Sequence, residues 1–296
     1  MSSITLRGVP HSYSLITPDG FSHTLVFVHG WLLSQQYWLP VIDQLKSSCR
    51  CLSYDLRGFG NSCQQLEQYQ MGILPLAQRL GASYSPFSLA AYARDLGDLL
   101  EQLDLKSVWL VGHSLGASIG LWAAFCYPEW VKGVICVNAG GGIYLRREFE
   151  RFRAAGQQIV RFRPHWFQHL PGADLAFTRM MVARPLPRQW GRQRLLDLLQ
   201  AHPEAAQGSL LESTTEEEVH LLPRIVASLS QPVYFLAGDK DQVMELKFVR
   251  YLASFHRLFE AERGNVFELD NCGHMAMVEY PTLVAETIAS VLQQHA

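Results

Sequence analysis

The chain has 296 residues, of which 48% are apolar, and a formal net charge of −2 at pH 7. This length supports one large hydrophobic core, either as a single domain or as a core domain with an insertion. The near-neutral charge gives no overall attraction to nucleic acids, and no apolar run reaches the roughly 18 residues of a membrane span. The start of the chain shows neither a secretory signal nor a transit peptide, so a cytoplasmic protein with reduced cysteines is expected.

Short apolar runs alternate along the chain with longer stretches of helical periodicity. The predicted strands cover 24–28, 51–54, 107–111, 131–137, 233–237 and 265–269, and the predicted helices cover 89–103, 116–127, 246–255 and 282–293. Continuously apolar strands with helices between them are typical of a parallel sheet that is covered on both faces. The predicted fold class is therefore α/β, with a mostly parallel, doubly wound sheet.

The middle of the chain has a different pattern, in which irregular helical segments are punctuated by prolines and no strand is predicted. We predict that 141–224 is a helical cap inserted between two strands, and that 1–140 and 225–296 together form the core domain. The segment 63–88 is longer than a simple connection needs, and the sequence assigns it no role.

Two overlapping G-x-S-x-G sequences occupy 112–120 and centre on Ser114 and Ser118. A nucleophile elbow is a sharp turn from strand to helix that exposes its serine. Ser114 comes three residues after the strand predicted over 107–111, as such a turn requires. Ser118 lies one helical turn further on, where a hydroxyl commonly bonds back to a helix carbonyl. Ser114 is therefore the predicted nucleophile.

A serine nucleophile needs a base within hydrogen-bond reach and an acid that orients the base. His274 lies in a glycine-containing loop between the last predicted strand and the last helix, and is the predicted base. Asp239 and Asp241 follow the strand predicted over 233–237, at the edge of the sheet where such sites assemble. Asp241 is the predicted acid, because Asp239 is better suited to capping the turn. Asp270, four residues before His274, is a weaker alternative.

These motifs resemble those of the α/β-hydrolase superfamily, in which serine, acid and histidine follow one another in this order. Further similar segments are HGW at 29–31, DLRGFGNS at 55–62, GDKD at 238–241 and GH at 273–274. The resemblance covers about 20–140 and 225–295. It implies an α/β-hydrolase fold with a Ser-His-Asp site. The sequence shows no metal cluster, phosphate loop or dinucleotide fingerprint, so no cofactor or metal is expected. A serine at the elbow, where epoxide hydrolases and haloalkane dehalogenases use an aspartate, argues against those two activities.

The resemblance also implies an oxyanion hole formed by the backbone N–H groups of Trp31 and Leu115. The N–H of Leu115 would lie at a helix N-terminus, where unpaired donors and the helix dipole favour negative charge. We expect direct substrate contacts from six residues beside these motifs and in the cap: His29, Gly30, His113, Arg146, Arg147 and Trp166. Asp55 and Arg57 are interpreted as a structural turn that is held by their opposite charges.

The cap is strongly basic. Residues 141–200 contain 11 arginines and four acidic residues, a local formal charge of +7, with aromatic and Met side chains between them. Three interpretations stay open: a solvated basic face over an apolar cap core, arginines that bind an anionic substrate, or a cap that makes peripheral contact with an anionic membrane surface.

The leading hypothesis for function is a serine hydrolase that cleaves the carboxylic ester of a mostly apolar or amphipathic small molecule through an acyl-enzyme. A first alternative is a C–C bond hydrolase or a lyase similar to those of the menaquinone pathway, using the same triad on an anionic substrate. A second alternative is a non-catalytic receptor or scaffold on the same fold. No nucleic-acid partner is predicted.

Overall fold

The computed structural model describes residues 2–72, 74–141, 146–262 and 264–295, and gives the helical backbone alone for 146–149. Within these ranges eight strands form a single sheet, in the order β1-β2-β4-β3-β5-β6-β7-β8. The strands are β1 (Ser2–Leu6), β2 (Val9–Ile16), β3 (His23–Val28), β4 (Cys49–Tyr54), β5 (Val108–His113), β6 (Val131–Val137), β7 (Val233–Gly238) and β8 (Val266–Leu269).

The sheet is mostly parallel, as predicted. Strands β4, β3, β5, β6, β7 and β8 pair in parallel, whereas β1 and β2 form an antiparallel hairpin that joins the sheet through β4. The hairpin was not predicted, because its strands lie at one end of the sheet, where they are partly exposed and carry few continuous apolar runs. Its turn at Arg7 and Gly8 has positive φ at both residues, which suits the twist of a two-residue hairpin.

Twelve α-helices lie in the described part of the chain. They are α1 (Leu39–Leu45), α2 (Pro75–Arg79), α3 (Leu89–Gln102), α4 (Leu115–Cys126), α5 (Arg146–Arg161), α6 (Ala173–Phe177), α7 (Arg188–Gln200), α8 (Pro203–Ser213), α9 (Glu216–Ser228), α10 (Leu246–Ala253), α11 (Ala276–Glu279) and α12 (Pro281–Gln293). The six predicted strands and four predicted helices of the core begin and end within two residues of the observed ones. None of the described helices has the length and apolar character that crossing a bilayer requires.

The hydrophobic core lies on both faces of the sheet because successive strand residues point in opposite directions. In β3, Val26 and Val28 belong to the cluster covered by α3, α4 and α9, whereas Leu25 and Phe27 belong to the cluster covered by α1 and α12. This alternation explains why the core strands are apolar throughout.

The helices α5 to α9 lie between β6 and β7 and include a small core of their own, made by Phe177, Leu195, Leu198 and Leu199. Helix α9 runs across the predicted boundary at 224 and packs on α4, where the Trp122 ring N–H donates to the Glu218 carboxylate. The end of the insertion therefore contacts the helix that follows Ser114.

The turn at 55–62 is held differently from the expectation. The two carboxylate oxygens of Asp55 accept the backbone N–H groups of Gln35 and Asn61, at 2.7 and 2.9 Å. Arg57 pairs with Asp95 of α3 at 2.9 Å, and both side chains are buried. The charged pair expected between Asp55 and Arg57 is wrong, because Arg57 points into the helix layer instead of across its own turn.

Candidate active site

Ser114 stands at the junction of β5 and α4, as an elbow requires. Its φ of 51° and ψ of −118° are a backbone conformation that a side chain beyond glycine adopts only under strain. The Ser114 N–H donates to the Val137 carbonyl of β6 at 3.0 Å, which holds the turn in place. Ser114 opens on a cavity together with Trp31 and Leu115.

Gly116 allows α4 to approach the sheet closely. A Cβ at this position would lie 2.4 Å from the carbonyl oxygens of both Val28 and His29. A Cβ at Gly112 would lie 2.4 Å from the Ala117 Cα, on the other side of the turn. The two glycines flanking Ser114 are therefore needed for the tight passage from strand to helix.

His274 and Asp241 are hydrogen-bonded, with 2.8 Å between His274 Nδ1 and Asp241 Oδ2, and both are buried. The second oxygen of Asp241 accepts the N–H groups of Val243 and Met244, at 2.9 Å each. Burial alone would raise the pKa of Asp241, but His274 and these N–H groups outweigh it, so the pKa lies below its usual value. Because Nδ1–H donates to Asp241, the Nε2 atom of His274 is the one able to accept a proton.

The other two candidate carboxylates have different positions. Asp239 accepts the N–H of Cys272 at 3.2 Å and pairs with Lys240 at 2.8 Å, so it braces the loop that carries the histidine. Asp270 is exposed. Among the described residues, Asp241 is the carboxylate bonded to His274.

His113, the residue before Ser114, is buried against His274, with 4.8 Å between the ring centroids. Its Nε2–H donates to the His274 carbonyl at 2.7 Å. Burial, together with the neighbouring His274, lowers the pKa of His113 to about 3, so the ring is neutral. His113 therefore supports the backbone of His274 and lies behind the cavity wall, not on the surface where we expected it to touch substrate.

His29 and Gly30 also lie behind the wall. His29 is fully buried, its Nδ1–H donates to the Gly30 carbonyl at 2.8 Å, and its Nε2 accepts the Leu56 N–H at 2.9 Å. Burial lowers the pKa of His29, in keeping with a neutral ring. A Cβ at Gly30 would lie 2.5 Å from Nδ1 of His113. The two residues thus position the loop that leads to Trp31, with no ring nitrogen of His29 left for a substrate.

The two predicted oxyanion donors border the cavity. Leu115 is the first residue of α4, so its N–H has no acceptor within the helix. Trp31 is anchored by its ring N–H, which donates to the Ala206 carbonyl of α8 at 2.8 Å. The loop and the helix N-terminus therefore meet at Ser114.

The cavity has a volume of about 80 Å³. Its lining consists of Trp31, Ser114, Leu115, Ser118, Ala139, Gly141, Phe152, Leu210, Ser213, Thr214, Val243 and Met244. No charged side chain occurs among these described lining residues. Ser118, expected to bond back to its helix, instead faces the cavity one turn after Ser114.

Of the cap residues expected to touch substrate, Trp166 has a described side chain, and it is not among the described lining residues. Trp166 is exposed on the outside of the cap, where its ring contacts Phe167. Arg146 and Arg147 belong to α5, but their side chains lie outside the described part of the structure.

Several other cap arginines bond within the protein. Arg188 and Arg192 pair with Asp174 at 2.6 and 3.1 Å, and buried Arg194 donates to backbone carbonyls. Arg163 donates to the Leu198 carbonyl at 2.8 Å. These contacts stabilise the cap and leave those side chains little freedom to bind a substrate.

Asn138 was not anticipated from the sequence. It follows β6 with a φ of 50°, and its amide N–H groups donate to Asp241 Oδ2 at 3.1 Å and to the Gly273 carbonyl at 3.0 Å. Its oxygen accepts the Ala276 N–H at 3.3 Å. One buried amide thus joins the acid to the loop of the base. A polar residue directly after an apolar parallel strand was the signal that could have found it.

The loop of His274 is held by two further groups. Both oxygens of Glu279 accept the Gly273 N–H at 3.1 Å, and Glu279 also accepts the Ala183 N–H at 2.9 Å. The His274 N–H donates to the Met181 carbonyl at 2.8 Å. The cap segment at 181–183 is therefore bonded directly to the loop of the predicted base.

The chain is 25% identical over 279 residues to 2-succinyl-6-hydroxy-2,4-cyclohexadiene-1-carboxylate synthase from Salmonella paratyphi C, covering 91% of this chain and 94% of that protein. It is 29% identical over 155 residues to Protein PHYLLO, chloroplastic, from Arabidopsis thaliana, which is 47% of this chain but only 8% of that protein's length.

A solved structure with a similar fold is a thermophilic esterase from Thermogutta terrifontis, with a TM-score of 0.73, 19% identity and 99% of each chain covered. At this identity the likeness shows the fold alone. Residues 25–287 match the model of the Alpha/beta hydrolase family. Because this match spans nearly the whole chain, the protein belongs to the alpha/beta hydrolase family.

Proposed function

We propose that this protein is a serine hydrolase that cleaves a small, mostly apolar carboxylic ester through an acyl-enzyme. The observation that carries the proposal is the strained Ser114, which opens on a cavity with no charged side chain among its described lining residues, together with the hydrogen-bonded pair of His274 and Asp241. A serine in this setting gains a base that is already oriented and a helix N-terminus that favours an oxyanion.

The reaction follows from these positions. Ser114 Oγ attacks the ester carbonyl as His274 Nε2 takes its proton, and the N–H groups of Trp31 and Leu115 stabilise the oxyanion. Collapse of the intermediate expels the alcohol, which receives the proton from His274. A water molecule then attacks the acyl carbonyl as His274 takes its proton, the bond between the acyl carbon and Ser114 Oγ breaks, His274 returns the proton to Ser114 Oγ, and the carboxylic acid leaves. Asp241 stays ionised and stabilises the imidazolium in both steps.

The cavity limits the substrate class. Its volume of about 80 Å³ is well below the roughly 300–1,000 Å³ of pockets for drug-sized ligands, which favours short acyl groups. Among the described lining residues, three side chains besides Ser114 carry hydroxyl groups: Ser118, Ser213 and Thr214. An ionised substrate group would be left without a countercharge among the described lining residues, so a neutral ester fits better.

A second candidate is supported by one observation, the 25% identity over 91% of the chain to a protein named as a carboxylate-forming synthase. In that case the same serine, histidine and aspartate would act mainly as a base on an anionic substrate. The positive charge that pairs with such a substrate would have to come from residues beyond the described lining, such as Arg146 or Arg147.

The test compares the two serines of the overlapping motif. Purified wild type, Ser114→Ala and Ser118→Ala are assayed on p-nitrophenyl acetate, butyrate, octanoate and laurate, and are labelled with a fluorophosphonate probe. Ser114→Ala is expected to lower kcat by about 10⁴- to 10⁶-fold and to abolish labelling, without unfolding. Ser118→Ala is the matched control, and it is expected to keep its labelling and to change the acyl-length preference alone. Labelling that persists in Ser114→Ala would contradict the proposal.

The same experiment separates the alternatives. Labelling at Ser114 without turnover of any ester favours the second candidate. A folded wild type that is neither labelled nor active favours a non-catalytic receptor on this fold.

A further inference from the structure

The outer surface of the cap between residues 161 and 181, called the cap face here, exposes an unusual number of apolar side chains. Phe162 is 84% exposed, Trp166 58% and Leu175 51%, and Leu170, Met180 and Met181 are exposed as well. Single exposed apolar residues are common on protein surfaces, but six within about twenty residues of chain make this segment a candidate interaction surface.

The fold itself sets this exposure. Phe167 and Phe177 of the same segment point inward, 6.2 Å apart between ring centroids, and Phe177 belongs to the small core of the cap. Successive backbone hydrogen bonds hold the segment in tight turns, among them those from Phe167 to Pro164 and from Leu170 to Phe167. The inward residues anchor the segment, so the outward ones are presented to solvent by a packed structure.

The charge of the cap face is of one sign. Its sequence contains a single acidic residue, Asp174, which is buried and already paired with Arg188 and Arg192. Arg161 and Arg179 are exposed, and so are His165 and His169, which lie between them in the chain. Exposed aromatic and aliphatic groups bordered by arginines complement a surface that is apolar inside and negatively charged at its boundary.

The cap face also ends at the active site. Met181 lies on the face with its side chain exposed, and its carbonyl accepts the N–H of His274. A partner that binds the cap face would therefore contact Met181, which is hydrogen-bonded to the loop of the predicted base.

We propose that the cap face docks on a lipid surface containing anionic headgroups, with Phe162, Trp166 and Leu175 entering the interface and Arg161 and Arg179 contacting phosphates. An anionic peptide would match the arginines but would leave the outward apolar side chains in water. A lipid surface satisfies both features at once. The docking does not depend on the proposed ester hydrolysis, since it rests on the exposed face alone.

The test is co-sedimentation of the full-length protein, without substrate, with vesicles of phosphatidylcholine alone or with about one third phosphatidylglycerol. We expect binding to the anionic vesicles at low salt and at least a tenfold weaker affinity for the neutral ones. Each of Arg161→Ala and Arg179→Ala should weaken binding by about fivefold. The variant Phe162→Ser/Trp166→Ser should weaken it by about tenfold or more.

The matched control is Tyr84→Ser/Tyr251→Ser, which removes two exposed aromatic rings, 71% and 47% exposed, outside the cap face. It should bind as wild type does, and near-ultraviolet circular dichroism checks that all variants are folded. Equal binding to both vesicle types, no binding at low salt, or equal loss in the control would overturn the proposal. A dimer in solution that Phe162→Ser/Trp166→Ser dissociates would also overturn it, because the face would then belong to a second copy of the chain.

Discussion

Asn138 holds the acid of the proposed triad, and its replacement by glycine measures how far catalysis depends on that contact. The amide donates to Asp241 at 3.1 Å and to the Gly273 carbonyl at 3.0 Å, from a backbone with φ of 50°. Glycine adopts this φ without cost, so Asn138→Gly removes the side chain and adds no backbone strain. Alanine would add strain of about 1 kcal/mol, which makes it the less clean variant.

The size of the effect follows from the partner's charge. A hydrogen bond to a charged group contributes about 1.5–3 kcal/mol, and Asp241 is ionised because His274 and two backbone N–H groups lower its pKa. Since each 1.36 kcal/mol changes a rate tenfold, the loss corresponds to about a ten- to hundredfold fall in kcat. KM should change much less, because Asn138 is buried behind the acid and does not line the cavity.

The assay is steady-state kinetics on the best ester from the acyl-length panel, together with the rate of fluorophosphonate labelling. Asn265→Gly is the matched control, because Asn265 is a buried asparagine that donates to the Val233 carbonyl at 3.1 Å, away from the acid. It should lose stability and keep its kcat. A folded Asn138→Gly with kcat within about twofold of wild type, or an equal loss of kcat in both variants, would refute the positioning role.

Two further predictions concern stability. Burial raises the pKa of Glu218 to about 7, so the folded protein holds this proton more tightly than the unfolded chain, and the contribution of Glu218 to stability should fall as pH rises from 5 to 8. Glu218→Gln keeps an oxygen that accepts the Trp122 N–H but has no proton to lose, so up to about 3 kcal/mol of the pH-dependent loss of stability should disappear. The free energy of unfolding in urea at pH 5 and pH 8 measures this, and an unchanged difference between the two pH values would contradict it. Gly116→Ala should destabilise the fold by about 3 kcal/mol or more, because its Cβ meets two backbone oxygens at 2.4 Å. Gly120→Ala, four residues on, has no contact closer than 3.6 Å and should be neutral or stabilising; equal thermal melts for the two variants would contradict this.

The core fold and the order of the motifs could be predicted from the sequence because their signals are local. Apolar runs of strand length and helical periodicity are read within about ten residues, and they placed the parallel strands correctly. The strand directly before Ser114 singled it out from Ser118 in the same way. The hairpin of β1 and β2 was not predicted, because its strands are partly exposed at one end of the sheet, and partly exposed strands carry a weak apolar pattern.

Chain order alone put Asp241 and His274 forward as partners of Ser114, while the contact of 2.8 Å between them is a property of the folded chain. The tertiary structure alone decided which groups support this pair. His29 and His113 turned from expected substrate contacts into buried supports, and Asn138 and Glu279 emerged as the side chains that hold the acid and the base loop. The physical reason is that a hydrogen bond between residues far apart in the chain depends on distance and direction in space. Residue type and spacing carry the chemistry of a site, whereas burial and orientation decide which of those residues reaches the substrate.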